Sequence, residues 1–393
     1  MSRVTPHLLD ILSFCNIIAL CWEVVVFSLI QKKINSRITR LTKYFILSLI
    51  FFAGCPYGDY GSFPNVITIG LGRIPFEVAT QNIPANSDAY ITLADYNSVL
   101  IDRYYNNNVT IPVGGYPVGI ALWQAGHRLY VINNDGLSIS VISVSQALNG
   151  SQVIADISDP AFHNMGDAVV TPDGSSLYVA TDVNAVSVIS TTTNTVLRTI
   201  TDPSFSCPAH LAADVFGRYI FVSESSGNAV SVISTTTNTI IATMGVGISP
   251  NGMSQTPDGK WLFVVNSGSN SISVINVDSL SVARTVTDAS FNNPQRIVLS
   301  PNCAYAYVSE YNTGNLSIVS EDALIKGTGR VVAWEMYVGK KPYDMSVIPA
   351  GYPINTVPGT NFTNNNGTAY LVVTLQGDRS IAYVSLGWGN ACP

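Results

Sequence analysis

The chain has 393 residues, of which 47% are hydrophobic and 11% charged, so it can build a large buried core and does not have the composition of a disordered protein. From Cys55 onward, 13 basic residues stand against 23 acidic ones, a balance that argues against nucleic acid as the main ligand. The 30 glycines and 20 prolines suit an all-β protein with many turns.

The N-terminal region, residues 1–54, has the features of an export signal. Its last part, residues 41–54, reads LTKYFILSLIFFAG and is followed by Cys55. The apolar run is too short to span a bilayer comfortably, but it suits the hydrophobic region of a signal peptide. The segment is similar to a bacterial lipobox, which implies that Cys55 becomes the lipidated first residue of the mature chain. We therefore expect a lipoprotein signal peptide over 41–54 and attachment to a membrane through lipid on Cys55.

Two alternatives for this region stay open. Residues 8–30 form a second apolar stretch, so the region could be an N-terminal membrane hairpin with an unmodified cysteine. Asp10 and Glu23 lie in that stretch, and a charge in hydrocarbon is costly. We therefore also hypothesise that residues 1–40 are not translated.

The segment after the signal is expected to be a tether over residues 55–64. Pro56 follows the lipidated position, and its identity favours transport to an outer membrane. The protein would then lie on the periplasmic side of that membrane or at the cell surface.

One short β-type string recurs seven times after the tether. The copies are YITLAD (90–95), LYVIN (129–133), LYVAT (177–181), YIFVSE (219–224), WLFVVN (261–266), YAYVSE (305–310) and YLVVT (370–374). Periods near 40 to 45 residues with several strands each are typical of propeller blades. Each string is preceded by an inner strand with a turn such as PDG and followed by two more strands. We predict an all-β fold, a seven-bladed β-propeller of four-stranded antiparallel blades over residues 65–393.

The two ends of this domain are predicted to share the last blade. The C-terminal part supplies only three strands, and NVITIGLG at 65–72 matches the outer-strand pattern. Pairing it there closes the ring and removes exposed sheet edges. The string AVSVISTTTNT occurs identically at 185–195 and 229–239, and we assign it to a third strand and the turn that follows. The repeat is therefore interpreted as a building unit rather than a repeated active site.

The repeated unit resembles a known family. Its pattern PxGxAxxPDG, YVxN, VSVIxTxTNT, VxxTIxVG is similar to the YVTN-type β-propeller repeat of exported bacterial and archaeal proteins, over essentially all of residues 65–386. The resemblance implies the fold. That family includes surface-layer proteins, binding proteins, lactonase-like members and dehydrogenase subunits, so the fold does not name the function.

The strand order divides the loops between two faces. Connections from the outer strand to the next inner strand, and from the second to the third strand, share one face, which we call the upper face. The other turns and the start of the closing strand lie on the lower face, so a lipid on Cys55 would anchor the lower side. We expect ligands to bind at the upper face.

The upper face contains the candidate site residues. A cluster at the channel mouth would need a histidine and carboxylates for acid–base or metal chemistry, which gives His163, His210, Glu224 and Glu310 as catalytic candidates. The loops SDPAFHN, TDPSFSCP and TDASFNNP, together with the end of one second strand, give Asp159, Asp182, Asp202 and Asp288 as ligand-binding candidates. The alternative for the loop aspartates is an Asx turn with a phenylalanine packed between blades.

Two cysteines are candidates for a disulfide. Cys303 and Cys392 both fall at the lower face of neighbouring blades, and an exported protein can keep such a bond oxidised. The alternative is two free thiols.

The sequence contains no HExxH, phosphate-binding GxxxxGK[ST], nucleophile-elbow GxSxG or complete c-haem motif, so we predict no metal and no cofactor. Two functions remain. The first is a monomeric, non-catalytic binding module for a protein, peptide or glycan. The second is a lactonase- or lyase-like enzyme that uses the histidine and carboxylate candidates.

Overall fold

The computed structural model describes residues 66–83, 86–103, 108–144, 150–182, 184–203, 205–301, 304–348 and 369–386. These residues form seven four-stranded antiparallel sheets arranged as the blades of a propeller, which confirms the predicted fold. No helix in this part of the chain is long and apolar enough to cross a membrane. The signal region, Cys55, the tether, Cys303 and Cys392 lie outside the described residues.

The blades follow one another along the chain, and within each blade the strands run from inner to outer. Blades one to three contain β2 (Pro75–Ile83), β3 (Asn86–Leu93), β4 (Ser98–Arg103), β5 (Val109–Pro112); β6 (Pro117–Trp123), β7 (Arg128–Asn133), β8 (Ser138–Ser143), β9 (Gln152–Ser158); and β10 (Ala168–Val170), β11 (Ser176–Asp182), β12 (Ala185–Ser190), β13 (Thr195–Thr201).

The same order continues through the remaining blades. Blades four to seven contain β14 (Pro208–Ala213), β15 (Tyr219–Glu224), β16 (Ala229–Ser234), β17 (Thr239–Gly245); β18 (Pro250–Gln255), β19 (Trp261–Asn266), β20 (Ser271–Asn276), β21 (Ser281–Thr287); β22 (Pro294–Leu299), β23 (Tyr305–Glu310), β24 (Asn315–Ser320), β25 (Val332–Tyr337); and β26 (Pro342–Ile348), β27 (Tyr370–Leu375), β28 (Ser380–Ser385), β1 (Val66–Gly70).

The apolar core lies between neighbouring blades. Second strands such as β19, WLFVVN, are buried almost throughout because each sheet is covered on both faces, which explains their continuous apolar runs. Outer strands such as β17, TIIATMG, alternate exposed and less exposed residues because only one of their faces packs inward. One of the clusters between blades joins Phe263 of blade five to Phe291 and Ile297 at the start of blade six.

The ring is closed by the N-terminal strand, as predicted. Strand β1 pairs antiparallel with β28, from Val66 opposite Val384 to Gly70 opposite Ser380. Because β28 runs from the upper to the lower face, β1 begins at the lower face. The first described residue, Val66, therefore lies on the side opposite the inner-strand starts.

The verbatim repeat forms equivalent parts of blades three and four. Its two AVSVIS segments are the third strands β12 and β16, and the turns that follow place Asn194 and Asn238 at a φ of 53°. Asparagine tolerates this left-handed conformation better than other residues with a side chain. The identity of the two copies is therefore explained by strand and turn geometry.

One α-helix in the described part of the chain was not predicted. Helix α1 (Glu321–Lys326) replaces the direct turn between β24 and β25. The Ser320 hydroxyl accepts a hydrogen bond from the Ala323 N–H, and Gly327 ends the helix in a left-handed conformation. Acidic residues in its first turn and Lys326 in its last turn suit the helix dipole.

Candidate functional site

Each blade contributes one residue to a ring around the central channel, near the upper face. In each blade this residue directly precedes the one that pairs with the middle of the second strand, as Gly119 precedes Ile120, which pairs with Val131. Six of these residues lie within the inner strand, and Asp167 directly precedes β10. Six of the seven inner strands show a register shift at this point. Such bulges redirect side chains next to functional sites. The channel ring consists of Glu77, Gly119, Asp167, His210, Gly252, Arg296 and Asp344.

Arg296 extends across the channel from blade six to blade one. Its Nη2 donates to Oε1 of Glu77 at 2.9 Å, and its Nε lies 3.4 Å from Oδ1 of Asp344. Its Nη1 donates to Oδ1 of Asn251, and the guanidinium carbon lies 5.0 Å from the centre of the Tyr343 ring. The side chain is 5% exposed, so this cation is almost entirely enclosed by its partners.

Gly252 gives Arg296 the space that this path requires. A Cβ atom on Gly252 would lie 2.7 Å from the Cα and 2.8 Å from the Cδ of Arg296. Both distances are shorter than carbon–carbon van der Waals contact. The glycine in blade five is therefore part of the construction of the ring.

The three acidic members of the ring share one structural role. Each carboxylate accepts a hydrogen bond from a backbone N–H of the next blade, at the position that follows the ring residue of that blade. The pairs are Ile120 N with Glu77 Oε2 (3.0 Å), Leu211 N with Asp167 Oδ2 (2.8 Å) and Val78 N with Asp344 Oδ2 (2.8 Å). The acids thus satisfy N–H groups that the bulges leave unpaired in the ladders.

A cavity of about 160 Å³ lies inside this ring. It is lined by Glu77, Val78, Ile120, Asp167, Ala168, His210, Leu211, Asp344 and Met345. Four of these are members of the channel ring, and they come from blades one, three, four and seven. The cavity is therefore bounded by charged and polar side chains from several sides of the channel.

Burial dominates the electrostatics of the acids. It raises the pKa of Asp167 to about 6, although Arg296 and the Leu211 N–H act in the opposite direction. It raises the pKa of Glu77 well above its usual value, with repulsion from Asp167 and Asp344 adding to the effect. The pKa of Asp344 is raised by burial as well. One arginine does not compensate three carboxylates removed from water.

His210 is neutral in this environment. Burial lowers the pKa of the imidazole well below its usual value, and the positive charge of Arg296 lowers it further. Its Nε2 lies 3.5 Å from Oδ2 of Asp167, longer than an ordinary hydrogen bond. Its backbone N–H donates to the Ser223 hydroxyl at 3.0 Å. The histidine therefore adds no positive charge to balance the acids.

The structure does not bring the four catalytic candidates together. Within the described residues, none of the side chains of His163, His210, Glu224 and Glu310 hydrogen-bonds or pairs with another of the four. His163 is exposed in the connection to blade three, where its backbone N–H donates to the Thr181 carbonyl at 2.8 Å. Only His210 belongs to the channel ring.

Glu224 and Glu310 are buried within their blades rather than in the channel ring. They end the second strands β15 and β23, a position that asparagine occupies in β19. Asn266 donates to the Ser273 hydroxyl at 3.0 Å and accepts the Gly247 N–H at 3.1 Å. Glu224 contacts the equivalent hydroxyl of its third strand, but with the donor and acceptor exchanged, since it accepts from Ser231. The acids thus replace an asparagine that joins strands to a connecting loop.

Glu310 is the more perturbed of these two acids. Its Oε2 accepts the N–H of Asn292 at 2.6 Å, while burial raises the pKa of the carboxyl to about 7. The residue has no measurable exposure. The Asn292 N–H and the Ser317 side chain both lower this pKa, but they do not offset the hydration that the carboxylate loses.

The aspartate loops are turns whose phenylalanines pack between blades. Oδ1 of Asp159 accepts the Ala161 N–H at 2.9 Å, and Oδ1 of Asp288 accepts the Ser290 N–H at 3.0 Å. In all three loops the phenylalanine N–H donates to the carbonyl oxygen of the aspartate, and Phe162, Phe205 and Phe291 are at most 3% exposed. Asp202 occupies the same position in its loop, and Asp182 is the last residue of β11.

Sequence reasoning missed four charged members of the channel ring. Glu77, Asp167, Arg296 and Asp344 occupy the position of the glycine in the pattern PxGxAxxPDG. In the inner strands that begin with proline, the third residue is Glu, Gly, His, Gly, Arg or Asp. This replacement of a small repeat residue by charged ones was the available signal, and it lies on the inner strands rather than in the connections.

No metal centre is evident in the described part of the chain, where no group of three histidine, cysteine or acidic residues is arranged to hold an ion. Cys207, in the connection before β14, is a free cysteine. The proposed Cys303–Cys392 bond falls outside the described residues.

The comparisons with known proteins show the fold alone. No protein-family model matches the chain, and no curated protein sequence matches it. Among solved structures, hydrazine synthase of Kuenenia stuttgartiensis is similar with a TM-score of 0.64 and 17% identity, over 84% of this chain and 99% of that one. Virginiamycin B lyase from Staphylococcus aureus gives 0.63 and 13%, over 82% and 99%. A streptogramin B lyase gives 0.62 and 12%, over 82% and 97%.

Proposed function

We propose that this protein is a non-catalytic binding module that holds a protein, peptide or glycan ligand at its upper face. The observation that carries the proposal is the set of large apolar side chains exposed there. Tyr96, Tyr116, Leu137 and Ile248 lie in upper connections, and Tyr337 ends β25 on the same side; each is between 39% and 60% exposed. Exposed aromatic and aliphatic groups of this kind supply binding energy in interfaces.

The channel ring lies at the same end of the propeller and supports binding rather than chemistry. Its arginine is held by three partners, and each of its carboxylates is committed to a backbone N–H. His210 is neutral and too far from Asp167 for an ordinary hydrogen bond. A general acid–base pair requires such a bond or a shared water, together with a pKa matched to its task.

The test uses the full chain on peptide and glycan arrays with two matched double variants. Tyr96→Ser with Tyr116→Ser removes two exposed aromatic groups from the upper face. Val215→Ser with Phe216→Ser removes exposed apolar groups from the lower-face turn between β14 and β15. The proposal predicts that array binding falls at least tenfold in the upper variant and is unchanged in the lower one. Loss in the lower variant alone would contradict it.

We further propose that the protein is an exported YVTN-type repeat protein anchored by lipid on Cys55. The proposal is supported by the lipobox-like sequence and by the start of β1 at the lower face, which would leave the upper face directed away from the membrane. The test is metabolic labelling with an alkyne fatty acid, with protease treatment of intact cells to locate the protein. Labelling should disappear in Cys55→Ala. A labelled Cys55→Ala protein would refute lipidation at this residue.

A second candidate function is a lyase-like enzyme. It is favoured by one observation, that His210 and Asp167 line the same cavity, and by the presence of two lyases among proteins of the same fold. The test is to incubate each array ligand with the protein and search for products by mass spectrometry. Turnover that is lost in His210→Gln, with ligand binding retained, would establish the enzyme and overturn the non-catalytic proposal.

A further inference from the structure

We propose that the cavity inside the channel ring binds a primary ammonium group, from a free amine or from a lysine of a protein partner. The inference rests on the proposed binding function. It names the chemical class of the ligand group that enters the channel. It follows from the composition of the cavity wall, from the balance of charge around it and from the state of one buried carboxylate.

The wall of the cavity offers acceptors and no free backbone donor at its three acidic corners. The N–H groups of Val78, Ile120 and Leu211 line the cavity, but each already donates to a ring carboxylate. The acidic groups themselves are acceptors when ionised. A ligand group that fits this acidic part of the wall brings donors, and an ammonium group brings three donors and no acceptor.

Charge leads to the same ligand class. Three carboxylates border the cavity, and Arg296, the cation within the channel ring, is paired with Glu77 and Asp344. Asp167 forms no ion pair with any described lysine or arginine. The His210 imidazole lies beside it but is neutral. A cationic guest would supply the charge that this third carboxylate lacks. An anion would meet three acids at short range.

Asp167 is the residue on which the guest would act. Its side chain is 8% exposed and lines the cavity, and its hydrogen bonds come from the backbone N–H groups of Leu211 and Ala168, with none from a described side chain. Burying a carboxylate with only these partners destabilises the folded protein. A ligand that pairs with the carboxylate would explain why this cost is retained, because functional sites commonly keep groups that destabilise the free protein.

The apolar part of the guest also has a place. Tyr343 is edge-on to Phe76 at 5.0 Å between ring centres, and Phe76 is edge-on to Tyr116 at 6.5 Å. This aromatic row leads from Arg296 in the ring to the exposed Tyr116 in the upper connection. These rings do not line the cavity itself, and an alkyl chain that left the cavity toward this side of the upper face would contact them.

The experiment is isothermal titration of the full-length protein with n-butylammonium. Two controls have the same size range but lack one property each: 1-butanol has no charge, and tetramethylammonium has no N–H donor. The proposal predicts saturable binding of n-butylammonium and none of the two controls. Equal binding of 1-butanol would overturn the charge argument, and equal binding of tetramethylammonium would overturn the donor argument.

Proton release gives a second readout. With the pKa of Asp167 at about 6, roughly half of this carboxyl is protonated at pH 6, so binding should release about 0.5 proton there and almost none at pH 8. Titrations in two buffers of different ionisation enthalpy measure this quantity. Asp167→Asn keeps the acceptor for the Leu211 N–H, and it should weaken binding about tenfold or more and abolish the release. Unchanged binding in Asp167→Asn, with the exposed Glu335→Gln as control, would refute the site.

Two peptides distinguish the sources of the ammonium group. One is acetylated at its N-terminus and carries a single lysine, and the other carries the same lysine acetylated at Nζ. Binding of the first peptide indicates a lysine of a protein partner, whereas binding of n-butylammonium alone indicates a free amine. Binding of neither overturns the proposal. In that case, array binding that depends on Tyr96 and Tyr116 would still support the binding module. Conversion of a bound amine to a product would instead contradict the non-catalytic function and leave the proposed ammonium site intact.

Discussion

Replacing Asp167 by asparagine should make the protein more stable at neutral and alkaline pH while weakening its proposed ligand site. The substitution removes a buried negative charge but keeps the oxygen that accepts the Leu211 N–H at 2.8 Å. It also removes repulsion that raises the pKa of Glu77 and of Asp344. The folded state therefore loses an unfavourable interaction and retains the hydrogen bond across the blades.

The magnitude follows from the pKa of Asp167. Burial raises it from 3.8 to about 6, and each pKa unit corresponds to about 1.4 kcal/mol, so the ionised carboxylate costs about 3 kcal/mol of folding free energy. Well below pH 3.8 both states are protonated and the cost is absent. As pH rises from 4 to 6 the unfolded chain releases its proton first, so stability falls. Above pH 6 the full cost applies.

The assay is thermal and chemical unfolding of wild type and Asp167→Asn between pH 4 and 8. With an unfolding entropy of about 2.1 cal/mol/K per residue over the body at 62–393, a gain of about 3 kcal/mol raises Tm by about 4 °C at pH 8. The control is Asp173→Asn in the exposed turn of the same blade, where hydrogen bonds from Thr171 and Ser175 lower the pKa and removal of the charge should destabilise slightly. A Tm of Asp167→Asn at or below wild type at pH 8 would refute the reasoning.

Three further changes test other parts of the account. Glu310→Gln should raise the free energy of unfolding by about 3 kcal/mol at pH 8 and leave it unchanged below pH 4.5, because burial raises the pKa of Glu310 to about 7. Chemical unfolding at several pH values measures this gain. Equal pH profiles for Glu310→Gln and the exposed Glu335→Gln would contradict it. Gly252→Ala should lose about 1–3 kcal/mol by displacing Arg296, whereas Gly245→Ala, with open space at its Cβ, should change little; equal unfolding midpoints would argue against the packing explanation. Arg296→Gln should lower the free energy of unfolding by about 3–5 kcal/mol at pH 8 and by less in acid, where the ring acids take up protons. A loss that does not depend on pH would count against the charge balance described for the ring.

The fold could be predicted from the sequence because the repeats show both the strands of each blade and the number of blades. The buried second strands recur as apolar strings such as WLFVVN, and each recurrence marks one blade. The closing strand β1 could be placed by pattern because a three-stranded last blade lacks an outer partner. Helix α1 was missed although Ser320 and its following acids form a cap signal, because a single six-residue helix has little weight against a strand repeat.

The site was accessible only in part. His210 was predicted as a histidine at the channel mouth, but the carboxylates were predicted in loops and at strand ends. Glu224 and Glu310 are side chains of the blade interior, equivalent to the asparagine of β19, and strand ends alone do not reveal that direction. The charged residues of the channel ring become visible when the repeats are aligned at the bulge, where a glycine of the repeat is replaced by Arg296 or Asp344. The contacts of Arg296 with blades five, seven and one are not visible in the sequence pattern.

The central claim, that the channel ring is a ligand site for an ammonium group, is tested most directly by a crystal structure of the protein soaked with n-butylammonium, beside the same soak of Asp167→Asn. The account predicts electron density for the amine in the cavity of the wild type, with its nitrogen within hydrogen-bond distance of the Asp167 carboxylate and its alkyl chain directed toward Phe76 and Tyr116. In Asp167→Asn it predicts clearly weaker density for the amine at the same amine concentration. An empty cavity in the wild type at saturating amine, or the same density in both crystals, would contradict the claim.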